Sequence, residues 1–140
     1  MSSPAGKYDL LSDPTDKAWN EFLIAVGVTD ALRDAWAMIK PTTEITVTDG
    51  KWSLKNLSEL KNWESVFSIG EKVPTRLEAD EMDGTGGTSV FTQPAENKLV
   101  ETFTIGGKDG TITRTFSADG MTTTFSFQGK TAVRKYKRTA

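Results

Sequence analysis

Two periodicities divide the chain. In residues 14–39 the apolar side chains recur at helical spacing: Trp19, Phe22, Leu23 and Val26 fall at i, i+3, i+4 and i+7, and Leu32, Ala35, Trp36 and Ile39 repeat that spacing. Asp13 ahead of Pro14 reads as an N-cap followed by proline at the first helical position, with Asp16 near the positive end of the helix dipole. Gly27 reads as the stop of the first helix, Thr29 as the cap of the second, and Lys40-Pro41 as its end. The pattern predicts a pair of short helices with a tight connection.

Everywhere else the alternation is that of strands. Residues 7–11 form a first strand before the helices. After them come alternating runs at Ile45 and Val47, at Trp52 and Leu54, and at Trp63, Ser65, Phe67 and Ile69. Residues 73–79 follow, where Pro74 cannot donate to a ladder and marks an edge or a gap in the pairing. Residues 89–92, then Leu99, Glu101, Phe103 and Ile105, then residues 111–117, 121–127 and 131–138 complete the series. Turns are predicted at Asp49-Gly50, over the polar residues 80–87, over 106–110, at 118–120 and at Gln128-Gly129. Roughly ten strands at intervals of about 8–12 residues indicate an antiparallel barrel or sandwich. Short connections pair sequence neighbours as a meander. A helix pair inserted after the first strand caps an open barrel end more naturally than it fits a sandwich. One domain spanning residues 1–140 is expected, with the helical lid at about 14–39.

Composition narrows the chemistry. The 140 residues contain no histidine and no cysteine, and carry a formal net charge of −2. The usual general base, the common metal ligand and every Ser-His or Cys-His arrangement are therefore missing. A two-carboxylate hydrolase needs paired acids in a pocket, yet only Glu101 sits on a clear inward face. The chain is expected to be a non-enzyme without cofactor or metal. Its overall charge offers no general field for nucleic acid. The N-terminus lacks the apolar core of a signal peptide, and no apolar run is long enough to span a membrane. The expectation is a cytoplasmic monomer.

The most informative polar residues lie inside apolar stripes. Arg114 falls between Ile112 and Phe116 on one strand face, and Arg134 and Tyr136 share a face with Ala132. A buried cation without a partner costs several kcal/mol, so an anion should meet it. Pairing Ile105 with Ile112 sets Phe103 opposite Arg114 and Glu101 diagonal to it. Pairing Phe116 with Met121 sets Arg114 opposite Thr123 and Ile112 opposite Phe125. Pairing Phe127 with Ala132 sets Phe125 opposite Arg134 and Thr123 opposite Tyr136. In this register two guanidinium groups and a phenol converge on one point, suited to a carboxylate. Two other readings stand beside it: arginines lying along the outer wall with their heads in water, or an ion pair between Arg114 and Glu101. Lys135, Lys137 and Arg138 are expected to face solvent as part of the +5 stretch 130–138.

These residues resemble the intracellular lipid-binding protein family, which includes fatty-acid-binding proteins and cellular retinoid-binding proteins. The similarity runs over nearly the full length. It includes Gly6-Lys-Tyr-Asp-Leu, Val26-Gly-Val, Lys40-Pro41, Lys61-Asn62, Ile69-Gly70, Thr111-Ile-Thr-Arg114 and the closing Val133-Arg-Lys-Tyr136. The resemblance implies an all-β, ten-stranded antiparallel up-and-down β-barrel, or β-clam. A helix–turn–helix lid would cover a cavity, with a gap between the fourth and fifth strands where Pro74 fits. It implies binding and transport of a long-chain fatty acid, its carboxylate held by Arg114, Arg134 and Tyr136. Trp36, Pro41, Leu60, Phe103, Thr123 and Phe125 would line the cavity around the tail. Retinol-binding members carry glutamines at the two arginine positions, so the alternative ligand is a retinoid carboxylate such as retinoic acid. Three features depart from the pattern: the Asp13-Pro-Thr-Asp-Lys opening of the first helix, the longer acidic turn at 80–87, and Phe103 in place of a more polar interior side chain. They bear on chain-length preference and ligand shape. Over residues 13–39 five acidic side chains oppose Lys17 and Arg33, a net of −3. An acidic lid is repelled by anionic lipid, so membrane contact is expected to be transient at most.

Overall fold

Turn chemistry sets the architecture. At Asp49-Gly50 and Gly106-Gly107 both central residues have positive φ (51° and 79°; 59° and 79°), and the same holds at Gln128-Gly129 (52° and 77°). That is the backbone of two-residue hairpins whose twist matches the flanking strands. A computed structural model describes residues 4–13, 16–27, 30–36, 40–58, 62–74 and 87–139. In chain order the elements are β1 (Gly6–Leu10), α1 (Lys17–Val26), α2 (Asp30–Trp36), β2 (Thr42–Thr48), β3 (Lys51–Leu57), β4 (Trp63–Ser68) and β5 (Lys72–Pro74). They continue with β6 (Thr88–Ala95), β7 (Lys98–Ile105), β8 (Lys108–Phe116), β9 (Gly120–Phe127) and β10 (Lys130–Arg138). The ten strands form one antiparallel sheet in the order β4-β3-β2-β1-β10-β9-β8-β7-β6-β5. It is the expected meander, joined where β1 pairs with β10. The sheet curls into a nearly closed barrel with the fourth and fifth strands at its two edges, where the gap was expected.

The lid begins later than its first aspartate suggests. Asp16, not Asp13, is the N-cap of α1, its carboxylate accepting from the Trp19 N–H at 3.1 Å. Asp13 instead offers its backbone carbonyl to the Asp16 N–H at 3.1 Å. Gly27 ends α1 as predicted, with φ of 96°. Thr29 and Ile39 lie outside the described residues, as do all but the last residue of the 80–87 turn.

The interior holds two apolar clusters. Trp19, Phe22, Leu23 and Val26 of α1 press against Phe103, Ile105, Ile112, Phe125, Phe127 and Ala132. Tyr8, Leu10, Ile45, Trp52, Leu54, Phe67, Phe91, Leu99, Phe116, Met121 and Tyr136 form the second. Burial of side chains this large supplies most of the driving force for folding, at about 1.5–3 kcal/mol each.

Candidate functional site

Between the two clusters runs a polar row. Residues facing one another across β7, β8, β9 and β10 are Leu99–Arg114–Thr123–Arg134. The row on the lid side is Glu101–Ile112–Phe125–Ala132, and the row beyond Arg134 is Phe116–Met121–Tyr136. Arg114, Thr123 and Arg134 are all buried, at 7 %, 2 % and 6 % exposure, and so is Tyr136. All four project inward.

This register corrects the expected one at both outer hairpins. Arg114 faces Leu99 rather than Phe103, because the turn is confined to Gly106-Gly107 and β8 already starts at Lys108. Gly110, read as loop, lies opposite Phe103 inside the sheet. A Cβ there would come within 2.3 Å of the Phe103 ring, so the glycine makes room for that ring. Likewise Phe127 pairs with Lys130, not Ala132, since Gln128-Gly129 is a complete two-residue turn. Thr123 therefore faces Arg134 instead of Tyr136, and Phe125 faces Ala132 instead of Arg134. The β8–β9 pairs Arg114–Thr123, Ile112–Phe125 and Phe116–Met121 are as expected.

The two guanidinium groups differ in their partners. Arg114 donates through Nη1 to Glu101 Oε1 at 3.0 Å, and Ser89 Oγ donates to Glu101 Oε2 at 2.6 Å. The ion pair raised as an alternative from sequence is thus present, and Ser89 is a member that sequence reading missed. Its inward position on β6, beside Phe91, is the only signal for it. The Arg114 guanidinium also lies 5.9 Å from the Phe91 ring centre. Arg134 stacks on the indole of Trp19, 4.2 Å from the ring. Its Nε and the Thr123 Oγ1 are buried without a hydrogen-bond partner. Burial pulls the Arg134 pKa down from its usual value, while the neighbouring Tyr136 phenol and then Asp16 oppose that shift. Trp19 was legible as a core residue of the helix. Its place over Arg134 was not, since that depends on how α1 docks on β10.

Other expected site residues are distributed as follows. Phe125 is buried against α1, 4.7 Å from Trp19 and 5.3 Å from Phe22 between ring centres. Phe103 is fully buried and stacks with Phe127. Pro41 is buried at the start of β2. The side chain of Trp36 and the whole of Leu60 lie outside the described residues. Lys135 and Lys137 are exposed as expected, but Arg138 is not a solvated edge residue. It lies 4.9 Å from the Tyr8 ring and donates to the carbonyls of Ala5 and Ser117, because position 138 continues the inward face of 134 and 136. None of the described helices is long and apolar enough to cross a membrane.

Among the described residues the interior is thus a hydrophobic enclosure crossed by a belt of cations, hydroxyls and one carboxylate. Such a constellation suits an amphiphile with a small polar head. No protein-family model matches the chain. A curated fatty-acid-binding protein of Lepidoglyphus destructor is 35 % identical over 140 residues, covering 99 % of each chain. One of Tyrophagus putrescentiae is 37 % identical over 120 residues, 86 % of this chain and 88 % of its own. Among solved structures, the Schistosoma mansoni fatty acid binding protein in complex with arachidonic acid superposes with a TM-score of 0.87 at 28 % identity, covering 100 % of this chain and 98 % of that one. With this fold, this lid and relatives alike over most or all of their length, the chain belongs to the fatty-acid-binding protein family.

Proposed function

We propose that this protein is a non-enzymatic carrier of long-chain fatty acids, one per barrel, working as a monomer in the cytoplasm. The observation that carries the reading is the buried polar row, whose Arg134 and Thr123 keep donor atoms without a protein acceptor inside an otherwise apolar interior. A carboxylate is the anion that a guanidinium fork and a phenol accommodate together. Its head meets Arg114, Arg134 and Tyr136, and its tail runs among the aromatic side chains below α1. Binding to the folded state alone stabilises it by mass action.

Titration of delipidated protein with oleate tests the reading. Tight one-to-one binding is expected in the parent and a collapse of binding in Arg134→Ala and in Arg114→Ala. If both variants bind oleate as the parent does, the head-group assignment is wrong. Competition between oleate and retinoic acid separates the acyl chain from a retinoid carboxylate. The acidic lid implies transfer by diffusion through water, so transfer rates should not climb with the concentration of anionic vesicles. A rate that does climb establishes collisional transfer instead.

A further inference from the structure

Among the described residues, two buried side-chain atoms of facing residues in the polar row have no hydrogen-bond partner: Arg134 Nε and Thr123 Oγ1. Thr123 is opposite Arg114 on one side and Arg134 on the other, so it lies between the two arginines in the row. Arg114 is in a different condition, its charge already met by Glu101, which Ser89 holds in turn. A buried hydroxyl without an acceptor loses its hydration for nothing in return, and valine would fill the same space without that penalty. A threonine here is therefore explained by something it meets when the interior is occupied.

We propose that Thr123 is a head-group-binding residue, and that Glu101, by holding the Arg114 charge, directs the bound carboxylate to the Thr123–Arg134 side of the row. This rests on the fatty-acid reading above. It adds that, among the described residues, only one of the two guanidinium groups is left without a buried carboxylate of its own. The site is thereby matched to a head group carrying a single negative charge. One carboxylate oxygen accepts from Arg134 Nε and the other from Thr123 Oγ1, while Arg114 contributes from behind its own counter-ion.

Oleate titration and thermal unfolding of delipidated parent, Thr123→Val and Thr123→Ser test this. Removing a hydrogen bond to a charged group is expected to weaken oleate binding roughly tenfold or more in Thr123→Val. The empty Thr123→Val protein should unfold at the same temperature or higher, and Thr123→Ser should bind as the parent does. A merely structural threonine would give the reverse, with lower stability and unchanged affinity. In a Glu101→Gln background Arg114 is released to the ligand, so the loss from Thr123→Val should shrink to a few-fold. An undiminished loss overturns the role given to Glu101. If the parent binds oleate tightly and Thr123→Val binds it equally, the inference fails while the fatty-acid reading stands. A parent that takes up no oleate sinks both.

Discussion

At one end of the polar row the Arg114 guanidinium, the Glu101 carboxylate and the Ser89 hydroxyl satisfy one another within 3.0 Å. At the other end Arg134 rests on the face of Trp19, with its Nε and the neighbouring Thr123 hydroxyl unpaired. The two arginines lie on strands that both pair with β9, are equally buried and have the same chemistry. The difference is the company they keep. A buried ion pair contributes little net stability, yet losing one partner leaves a naked charge, at a cost of about 3–5 kcal/mol. Arg134, stacked on an aromatic ring and hydrogen-bonded with a neutral phenol, has given up water without gaining a carboxylate in direct contact. The first arrangement makes a residue indispensable to the fold, and the second makes it available to a ligand.

That contrast is most exposed by single substitutions. Arg114→Ala, which strands Glu101, should lower unfolding stability by about 3–5 kcal/mol in denaturant melts. Arg134→Leu should leave the melt of the empty protein within about 1 kcal/mol of the parent, since the apolar side chain removes the cost of a buried cation while giving up its stacking on Trp19 and its hydrogen bond with Tyr136. Equal losses in both would erase the distinction. Next in size is the double variant Arg114→Leu with Glu101→Leu, which removes both charges together. It should recover most of the Arg114→Ala loss, and end neutral or up to about 4 kcal/mol more stable than the parent. Failure to recover would show that the pair specifies the packing around it. A smaller effect on binding is expected from Trp19→Leu, which withdraws the ring from Arg134 and forfeits an interaction worth roughly 0.5–2 kcal/mol, besides the stability lost by shrinking a buried side chain of the lid cluster. Oleate affinity should fall only a few-fold by calorimetry, far less than in Arg134→Ala.

The last test concerns a third buried pair. The Tyr8 hydroxyl donates to the Pro4 carbonyl at 2.7 Å, and burial raises its pKa, with Arg138 opposing. An acid whose folded pKa is raised stabilises the fold below its unfolded pKa of about 10, and that contribution is lost as pH rises through the folded value. Melts should therefore weaken above about pH 10, and less steeply in Tyr8→Phe.

Much of this was legible in the chain. The period-two alternation gave ten strands, and the helical spacing of Trp19, Phe22, Leu23 and Val26 gave the buried face of α1. Arg114 and Arg134 stood out because charged residues interrupt apolar stripes. The pairing across the outer hairpins was not legible. Gly106-Gly-Lys-Asp-Gly110 looks like one loop, whereas only its first two residues turn. Gly110 is there to admit the Phe103 ring, a demand made by a residue on the neighbouring strand. The cap of α1 was misplaced because Asp13 and Asp16 are chemically equivalent candidates, and only the backbone path chooses between them. Contacts between distant segments, Trp19 with Arg134 and Ser89 with Glu101, have no local signature at all.

The stacking of Trp19 on Arg134 ties the start of the lid helix to the final strand of the wall. Swinging α1 outward would uncover the guanidinium, and water would solvate it. In an empty barrel that hydration offsets part of the cost of opening. Once a carboxylate neutralises the same group, the gain disappears. The vacant form should then gape more readily than the occupied one, so that uptake is easier than escape.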